Sequence, residues 1–259
     1  ASKLKVGIAG YGVVGKRRRA FIDRHPLLQT VAVSDILFGG EGRLPDGVRY
    51  YPSLEGLFRE KLDILFVSLP NYLAAKATME GLRCGMHVFC EKPFSIGIDD
   101  ARKLLDIANG GSGVFQVGHN RRFAPVYAKL KEFLGEDKAH SAHIKMNRGE
   151  LKNPVWTGDV NVTGGFLYET TIHLFDMMRF QFGEIEELIA YGSQHEYPEL
   201  DEFSIIFKFK SGFHCTFASS SDASWHFPFE RIEVFAHHRT IMTEEMERIL
   251  DSRGMDANF

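Results

Sequence analysis

The sequence predicts two domains: an α/β domain with a doubly wound parallel sheet over residues 1–120, and an α+β domain with an open, mostly antiparallel sheet over residues 121–259. Three observations predict this division. Up to about Gly118, short apolar runs alternate with amphipathic helical stretches. After Glu184, apolar runs follow one another through short turns such as Lys210-Ser211-Gly212, which is typical of hairpins. A chain of 259 residues is also long enough for two ordinary domains.

The first domain begins with a strand, a glycine turn and a helix that ends before Pro26. Apolar runs bounded by turn residues predict the strands, and the segments between them predict helices. The predicted strands are 4–9, 28–34, 48–51, 64–68, 87–90 and 114–117, and the predicted helices are 15–25, 54–61, 73–84 and 99–108.

The second domain is predicted to mix helices and strands in a different order. The predicted helices are 125–134 and 165–182, with a further helical stretch over 243–250, and the predicted strands are 140–146, 185–191, 203–209, 213–219 and 229–235.

Bulk composition restricts the class of protein. Hydrophobic residues at 44% and charged residues at 25% are ordinary for a globular protein. A net charge of −3 argues against a general affinity for nucleic acid or anionic membrane, so small molecules are the expected partners. No apolar stretch reaches the ~18 residues of a membrane span, and we expect a cytoplasmic location.

Cysteine and histidine spacing predicts neither a disulfide framework nor a metal site. Cys84, Cys90 and Cys215 lack CxxC pairing, and we expect reduced, mostly buried thiols. His237 and His238 are not spaced as metal ligands. The sequence therefore predicts no bound metal.

A G-x-G-x-x-G motif follows the first predicted strand and opens the first helix, which is the context that a dinucleotide site requires. The first glycine makes a tight turn, the second admits a pyrophosphate, and the third lets helix and strand pack closely. Backbone N–H groups at the helix start then meet the negative charge. The predicted cofactor-binding residues here are Gly10, Tyr11, Gly12, Val13, Val14 and Gly15.

Asp35 closes the second predicted strand, about 20 residues after the motif, where a carboxylate can bind the adenosine ribose hydroxyls and repel a 2′-phosphate. This position favours NAD. NADP stays possible because the loop after Asp35 contains Arg43.

Three segments together resemble the Gfo/Idh/MocA oxidoreductases, a family that includes glucose-fructose oxidoreductase and inositol dehydrogenase. They are the glycine motif with the later Leu69-Pro70-Asn71, the run Gly85-Met86-His87-Val88-Phe89-Cys90-Glu91-Lys92-Pro93, and the run from Gly164 to Asp176, which is similar to the family pattern G-G-x-x-x-D-x-G-x-H-x-x-D. Together they span the chain in the family's order.

The resemblance implies a pyridine-nucleotide enzyme that oxidises or reduces a secondary alcohol of a sugar, inositol or nucleotide-sugar. It implies active-site roles for Lys92 and His173, and homo-oligomers that pair through the open sheet of the second domain. On the same basis, the residues flanking the cofactor are Leu69, Pro70, Asn71, Glu91 and Lys92. This chain departs from the family pattern with Glu169 for Asp, Thr171 for Gly, and Ala74 where His is common. It is also short for such a protein, since it ends soon after the stretch 243–250, and we expect that the last strands of such a domain are missing or were not included.

The spacing of Glu169, His173 and Asp176 is i, i+4, i+7, which places them within about 60° on one helical face. Such a polar stripe faces either water or a site. Alcohol oxidation requires a base with a pKa near the working pH, and His173 is the best candidate. Lys92 would hold the reacting oxygen, Glu169 would orient the histidine or bind a neighbouring hydroxyl, and Asp176 would support the site.

Further substrate-binding candidates lie where the domains join and in the loop before the second-domain helix. Asn120, Arg121 and Arg122 could bind a substrate carboxylate or phosphate, or serve the domain junction. Trp156 and Tyr168 could stack on a sugar ring or pack inside the protein. Two other functions stay open: a catalytically silent NAD-binding regulator, and an NAD-dependent glycosidase that uses the same residues.

Overall fold

A computed structural model of the chain describes residues 2–151, 153–226 and 229–254. The chain divides into two compact units, Ala1–Gly118 and His119–Phe259. Among the described residues, no helix is long and apolar enough to cross a membrane.

The first unit is a seven-stranded sheet in the order β3-β4-β2-β1-β5-β6-β7, in which every neighbouring pair is parallel except β3 with β4. Its strands are β1 Leu4–Ala9, β2 Leu28–Ser34, β3 Gly42–Arg43, β4 Arg49–Tyr51, β5 Ile64–Val67, β6 His87–Cys90 and β7 Phe115–Val117. Its helices are α1 Val13–Ile22, α2 Leu54–Phe58, α3 Asn71–Arg83 and α4 Ile98–Gly110. Apolar clusters pack on the sheet, and the predicted doubly wound parallel sheet is confirmed.

The second unit is a seven-stranded sheet in the order β14-β13-β12-β8-β11-β10-β9. Its strands are β8 Ser141–Asn147, β9 Ile185–Ser193, β10 Glu202–Phe209, β11 His214–Ser220, β12 Glu230–Ala236, β13 Arg239–Glu244 and β14 Arg248–Arg253. Its α-helices are α5 Pro125–Leu134, α6 Val160–Thr163 and α7 Ile172–Phe182. The sheet is mostly antiparallel, as predicted, but its central pair β8 and β11 is parallel.

The prediction of a helix over 243–250 is wrong, because this segment spans the end of β13, a turn and the start of β14. Glu, Met, Arg and Leu favour helices, but tertiary contacts outweigh that preference here. Glu245, at φ 53°, makes the turn, and its carboxylate accepts hydrogen bonds from the backbone N–H groups of Phe229 and Glu230. Two further strands, β13 and β14, thus extend the sheet beyond β12.

The core of the second unit lies between helices α5 and α7 and one face of the sheet. Residues from both helices and from five strands form one buried cluster that is rich in phenylalanine, and it includes Leu174, Met177 and Met178 from α7 together with Phe207 and Phe217 from the sheet. Along these strands, alternate side chains are buried against the helices and the side chains between them lie on the other face. The close packing of this core holds α7 in place.

Candidate active site

The glycine turn of the first unit requires glycine at both of its ends. Gly10 has φ +89°, and a Cβ atom there would lie 2.4 Å from the carbonyl oxygen of Ser68. A Cβ atom on Gly15 would lie 2.0 Å from the carbonyl oxygen of Gly10. The turn therefore presses α1 closely against β1 and β5.

Gly12 differs from its two neighbours, because a Cβ atom there would meet nothing within 4 Å. The open space lies directly before α1, whose ten residues begin at Val13 without a side-chain cap. The N–H groups at this helix start are available to an anion. This arrangement fits the pyrophosphate of a dinucleotide.

Asp35 follows β2 and is fixed by two backbone donors. The N–H of Tyr11 donates to Oδ2 at 2.8 Å, and the N–H of Leu37 donates to Oδ1 at 3.0 Å. Each carboxylate oxygen accepts more than one hydrogen bond, so both can also bind ribose hydroxyls. The carboxylate is thus tied directly to the glycine turn.

Arg43 lies at the other end of β4 from Asp35. It pairs with Arg49 in the β3–β4 hairpin, whereas the backbone N–H of Asp35 bonds to Tyr51 at the last residue of β4. Its guanidinium donates to the carbonyl oxygen of Gly47 at 2.8 Å. The Arg43 guanidinium is therefore bonded within its own hairpin rather than to the segment of Asp35.

The other candidates of the first unit follow β5 and β6. Because β1, β5 and β6 are adjacent and parallel, their carboxyl ends share one edge of the sheet. Helix α3 begins at Asn71 after Leu69 and Pro70, and Glu91 and Lys92 come directly after β6, where both are half-buried.

Glu91 is bound to the first helix. Arg18 Nε donates to Glu91 Oε1 at 2.5 Å, and the Arg18 guanidinium lies 5.1 Å from the centre of the Phe89 ring. Helix α1 and the segment that carries Lys92 are therefore joined by a charge-assisted hydrogen bond.

The second-unit candidates stand on a helix that is less regular than predicted. In place of one helix over 165–182, a turn at Gly164 and Gly165, both with positive φ, precedes the π-helical turn Leu167–Thr171, which continues into α7. Such π-turns often mark functional sites. Glu169 lies in the π-turn, His173 in the first turn of α7, and both are half-buried.

Asp176 is buried and holds the predicted substrate residue Arg122. Arg122 Nε donates to Oδ2 at 2.8 Å and Nη2 donates to Oδ1 at 2.5 Å, and this pairing raises the pKa of Arg122. Arg121 is buried instead against the carboxylate of Glu230. Asn120 and Trp156 are exposed, on the 3₁₀ turns Asn120–Phe123 and Val155–Gly158.

Two of the departures from the family pattern have a structural explanation. The hydroxyl of Thr171 lies 3.0 Å from that of Ser219, which in turn donates to the carbonyl oxygen of Met146 at 2.9 Å. Ala74 is buried in the core of the first unit. Thr171 thus links the start of α7 to the sheet, and Ala74 packs in the core of the first unit.

Sequence patterns missed two charged residues that pack around Phe166. Arg148, directly after β8, is buried and places its guanidinium 5.1 Å from the centre of the Phe166 ring. Glu199 accepts a hydrogen bond from the backbone N–H of Phe166, and burial raises its pKa. No periodicity marks either residue, because both lie in irregular segments.

Asp201 organises the segment that carries Glu199. Its carboxylate accepts hydrogen bonds from the backbone N–H groups of His195, Glu196 and Tyr197 and from the hydroxyl of Ser221. The segment is thus fixed by a buried anion. Over the part of the chain that the structure describes, no group of three or more His, Cys, Asp or Glu side chains is arranged to hold a metal ion.

Comparison with known protein families matches both units. Residues 4–119 match a family model described as an oxidoreductase family with an NAD-binding Rossmann fold, and residues 131–242 match the GFO/IDH/MocA C-terminal domain. The chain is 28% identical over 244 residues to an uncharacterized oxidoreductase of Bacillus subtilis, YrbE, covering 90% of this chain and 71% of that protein. It is 26% identical to the myo-inositol 2-dehydrogenase of Thermotoga maritima, covering 94% and 76%.

The fold also matches solved structures. One is the WlbA dehydrogenase from Bordetella pertussis in complex with NADH and UDP-GlcNAcA, with a TM-score of 0.84 and 17% identity, covering 98% of this chain and 84% of that one. At this identity the likeness concerns the fold. Two consecutive family models, the glycine turn and the two sheets agree, and the chain belongs to the Gfo/Idh/MocA family of NAD(P)-binding oxidoreductases.

Proposed function

We propose that the chain transfers a hydride between the nicotinamide of NAD and a secondary hydroxyl group of a sugar, inositol or nucleotide-sugar. The observation that carries this proposal is the pair of half-buried groups suited to the reaction, Lys92 directly after β6 and His173 at the start of α7. The dehydrogenase relatives support the reaction class.

The residues of the chain have distinct tasks in this reaction. When bound, the nicotinamide supplies the hydride acceptor in the oxidising direction. His173 removes the hydroxyl proton, because an imidazole titrates near neutral pH. Lys92 donates a hydrogen bond to the same oxygen and stabilises the developing negative charge.

Glu169 is assigned to the substrate or to the orientation of His173. It lies in the π-turn, one turn before the histidine, and its backbone N–H bonds to the carbonyl oxygen of Gly165 at 2.9 Å. A carboxylate there accepts hydrogen bonds from an imidazole N–H or a sugar hydroxyl. Asn120, Arg122 and Trp156 remain candidates for contacts with more distant substrate groups.

For the cofactor we propose NAD rather than NADP. Asp35 is fixed beside the glycine turn, and Arg43 is bonded elsewhere. The proposed NAD site consists of the glycine turn with Asp35, and of the segments that follow β5 and β6.

We further propose that the chain forms homo-oligomers through the open face of the second sheet. Apolar side chains are exposed on this face, among them Ile189 and Tyr191 on β9 and Ile206 on β10. Such a cluster of exposed apolar groups is typical of a protein interface.

The two other functions are not favoured. A silent regulator has no chemical need for both Lys92 and His173, and the myo-inositol 2-dehydrogenase relative points to oxidoreduction rather than to cleavage of a glycosidic bond. The family match supports the dehydrogenase reaction.

The test is NAD reduction with a panel of inositols, sugars and nucleotide-sugars, followed by absorbance of NADH. We expect turnover with at least one compound, and a loss of kcat of at least about 100-fold in Lys92→Met and in His173→Asn. The matched controls Lys61→Met and His237→Asn change exposed residues and retain turnover. If Lys92→Met and His173→Asn both keep full activity, the proposed chemistry is wrong.

A further inference from the structure

Arg148 is held in a fixed position where β8 ends. Its backbone N–H donates to the carbonyl oxygen of Ser220 at 2.9 Å, and its own carbonyl oxygen accepts from the N–H of Ala223 at 2.9 Å. The next residue, Gly149, is covered by an indole, since a Cβ atom there would lie 2.4 Å from Cδ1 of Trp225. The backbone around Arg148 therefore cannot shift freely.

The guanidinium group of Arg148 makes only neutral contacts. Nε donates to the hydroxyl of Thr170 at 2.8 Å, and Nη1 donates to the carbonyl oxygen of Gly149 at 3.0 Å. Nη2 makes no hydrogen bond to the described residues. It also keeps some exposure to solvent, because it is not among the fully buried nitrogens that lack a hydrogen bond. One donor of a buried cation is thus accessible from outside.

Comparison with the other buried arginines shows what Arg148 lacks. Within the described part of the second unit three arginines are buried, Arg121 at 7%, Arg148 at 6% and Arg239 at 4% exposure. Arg121 lies 2.6 Å from a carboxylate oxygen of Glu230, and Arg239 lies 2.7 Å from one of Asp251. Among the same residues, no carboxylate forms an ion pair with Arg148.

A buried guanidinium without an anion is unfavourable, and arginine cannot relieve the cost by losing its proton. Thr170, which Arg148 holds, follows Glu169 in the π-turn. The guanidinium without an anion is therefore bonded to the residue that follows Glu169 in the chain, and we assign Glu169 to the substrate. This placement points to an anionic group on the substrate as the missing partner.

We propose that Arg148 binds the carboxylate or phosphate of an acidic sugar substrate and makes the site selective for acidic over neutral sugars. The proposal rests on the function proposed above, because it places the sugar beside Glu169. Arg148 takes no part in hydride or proton transfer. It is a specificity-determining residue.

The test measures equilibrium binding with NADH present, so that no turnover is needed. Isothermal titration compares pairs of sugars that differ by one acidic group: glucose with glucuronate, galactose with galacturonate, glucose with glucose 6-phosphate, and UDP-GlcNAc with UDP-GlcNAcA. Wild-type protein should bind the acidic member of at least one pair about tenfold or more tightly than the neutral one.

The variants separate recognition from folding. Arg148→Met keeps an apolar stem against Phe166 and should abolish the preference, while affinity for the neutral sugar and for NADH changes less than about twofold. Arg148→Lys should restore part of the preference, since the charge returns without the planar guanidinium. The control Arg179→Met removes an exposed arginine of α7 and should leave the preference intact.

Two results would overturn the proposal: no acidic preference in any wild-type pair, or equal loss of acidic and neutral sugars in Arg148→Met. The second result, with a lowered Tm, would mean that Arg148 only holds the π-turn. Failure of the proposed function is a separate result. In that case acidic sugars bind through Arg148, but Lys92→Met leaves the rate of NADH formation unchanged.

Discussion

The guanidinium group of Arg122 and the carboxylate of Asp176 form a two-point ion pair, Nε to Oδ2 at 2.8 Å and Nη2 to Oδ1 at 2.5 Å. The pair joins the 3₁₀ turn Asn120–Phe123 to α7, the helix that carries His173. Asp176 is buried, while Arg122 is partly exposed. Asp176 therefore ties this turn to α7, and its predicted support of the active site stays a prediction.

Removing the charge of Asp176 should cost stability. Asp176→Asn leaves a partly buried guanidinium without its anion, and we expect the free energy of unfolding to fall by about 2 kcal/mol, less than for a fully buried pair. The measurement is urea unfolding followed by circular dichroism. Glu184→Gln is the matched control, because it breaks the fully exposed pair with Arg179 on the same helix. Equal effects of both variants would contradict this account.

Substitutions in the glycine turn should affect cofactor binding and protein stability separately. Gly15→Ala forces a methyl group against the carbonyl oxygen of Gly10 and should destabilise the protein by about 3 kcal/mol. Gly12→Ala meets no protein atom, so its Tm should stay unchanged, while its methyl group takes the space of the pyrophosphate and weakens NADH binding at least about tenfold. Thermal unfolding and NADH fluorescence give the two values. Unchanged NADH affinity in Gly12→Ala would place the cofactor elsewhere.

Asp35 should determine the choice of cofactor. Asp35→Asn removes the charge that repels a 2′-phosphate, and we expect the preference for NADH over NADPH to fall by about tenfold or more. Dissociation constants for both cofactors provide the ratio. The control is Asp63→Asn, whose carboxylate accepts from the backbone N–H of Lys5 at the start of β1, and it should keep the wild-type ratio. A ratio that does not move in Asp35→Asn would mean that other groups select the cofactor.

The three cysteines should react in two classes. Cys84 is exposed, whereas Cys90 and Cys215 are buried, which agrees with the expectation of mostly buried thiols. Burial raises the pKa of both buried thiols to about 12, so almost none of either is thiolate at about pH 8. We expect a disulfide reagent to label one thiol rapidly in the native protein and the other two after unfolding. Cys84→Ser should remove the rapid phase, and rapid labelling that persists in this variant would contradict the assignment.

The proposed oligomer can be tested on the open sheet face. Ile206 is 52% exposed on β10, and Ile206→Lys places a charge among apolar neighbours. We expect an oligomer for the wild-type chain and a smaller species for the variant, measured by light scattering after gel filtration. Leu105→Lys changes a residue that is 58% exposed on α4 and should leave the mass unaltered. A monomeric wild-type chain would show that this face does not pair at the concentrations used.

Local pattern was sufficient for most of the fold. Alternating or continuous apolar runs predicted every strand from β4 to β12 to within about two residues. Such runs are visible in the sequence because successive side chains of a strand point to opposite faces of the sheet. The hairpin β13–β14 was missed because the residues around its turn have helical preferences, although β13 pairs with its neighbours in sequence, β12 and β14. The two-residue strand β3 is too short to leave a pattern.

The candidate site was predictable only where a motif fixes the backbone. Gly10 and Gly15 could be assigned roles because no other residue fits their surroundings. The partners of Arg122 and Arg148 could not be predicted, because charged residues in irregular segments carry no periodicity and their burial depends on distant parts of the chain. The roles of Lys92, Glu169 and His173 stay predictions.

Because β8 and β11 are parallel, the segments that follow them leave the second sheet at the same end of its strands. There the backbone N–H of Ala223 donates a hydrogen bond to the carbonyl oxygen of Arg148. Within the described residues, 148–151 and 221–226 contribute no side chain to the phenylalanine-rich core. On the role proposed for Arg148, mutations in these segments should change which sugar is accepted while the core that folds the domain is left intact. On that proposal, selection can act on substrate choice and on folding separately.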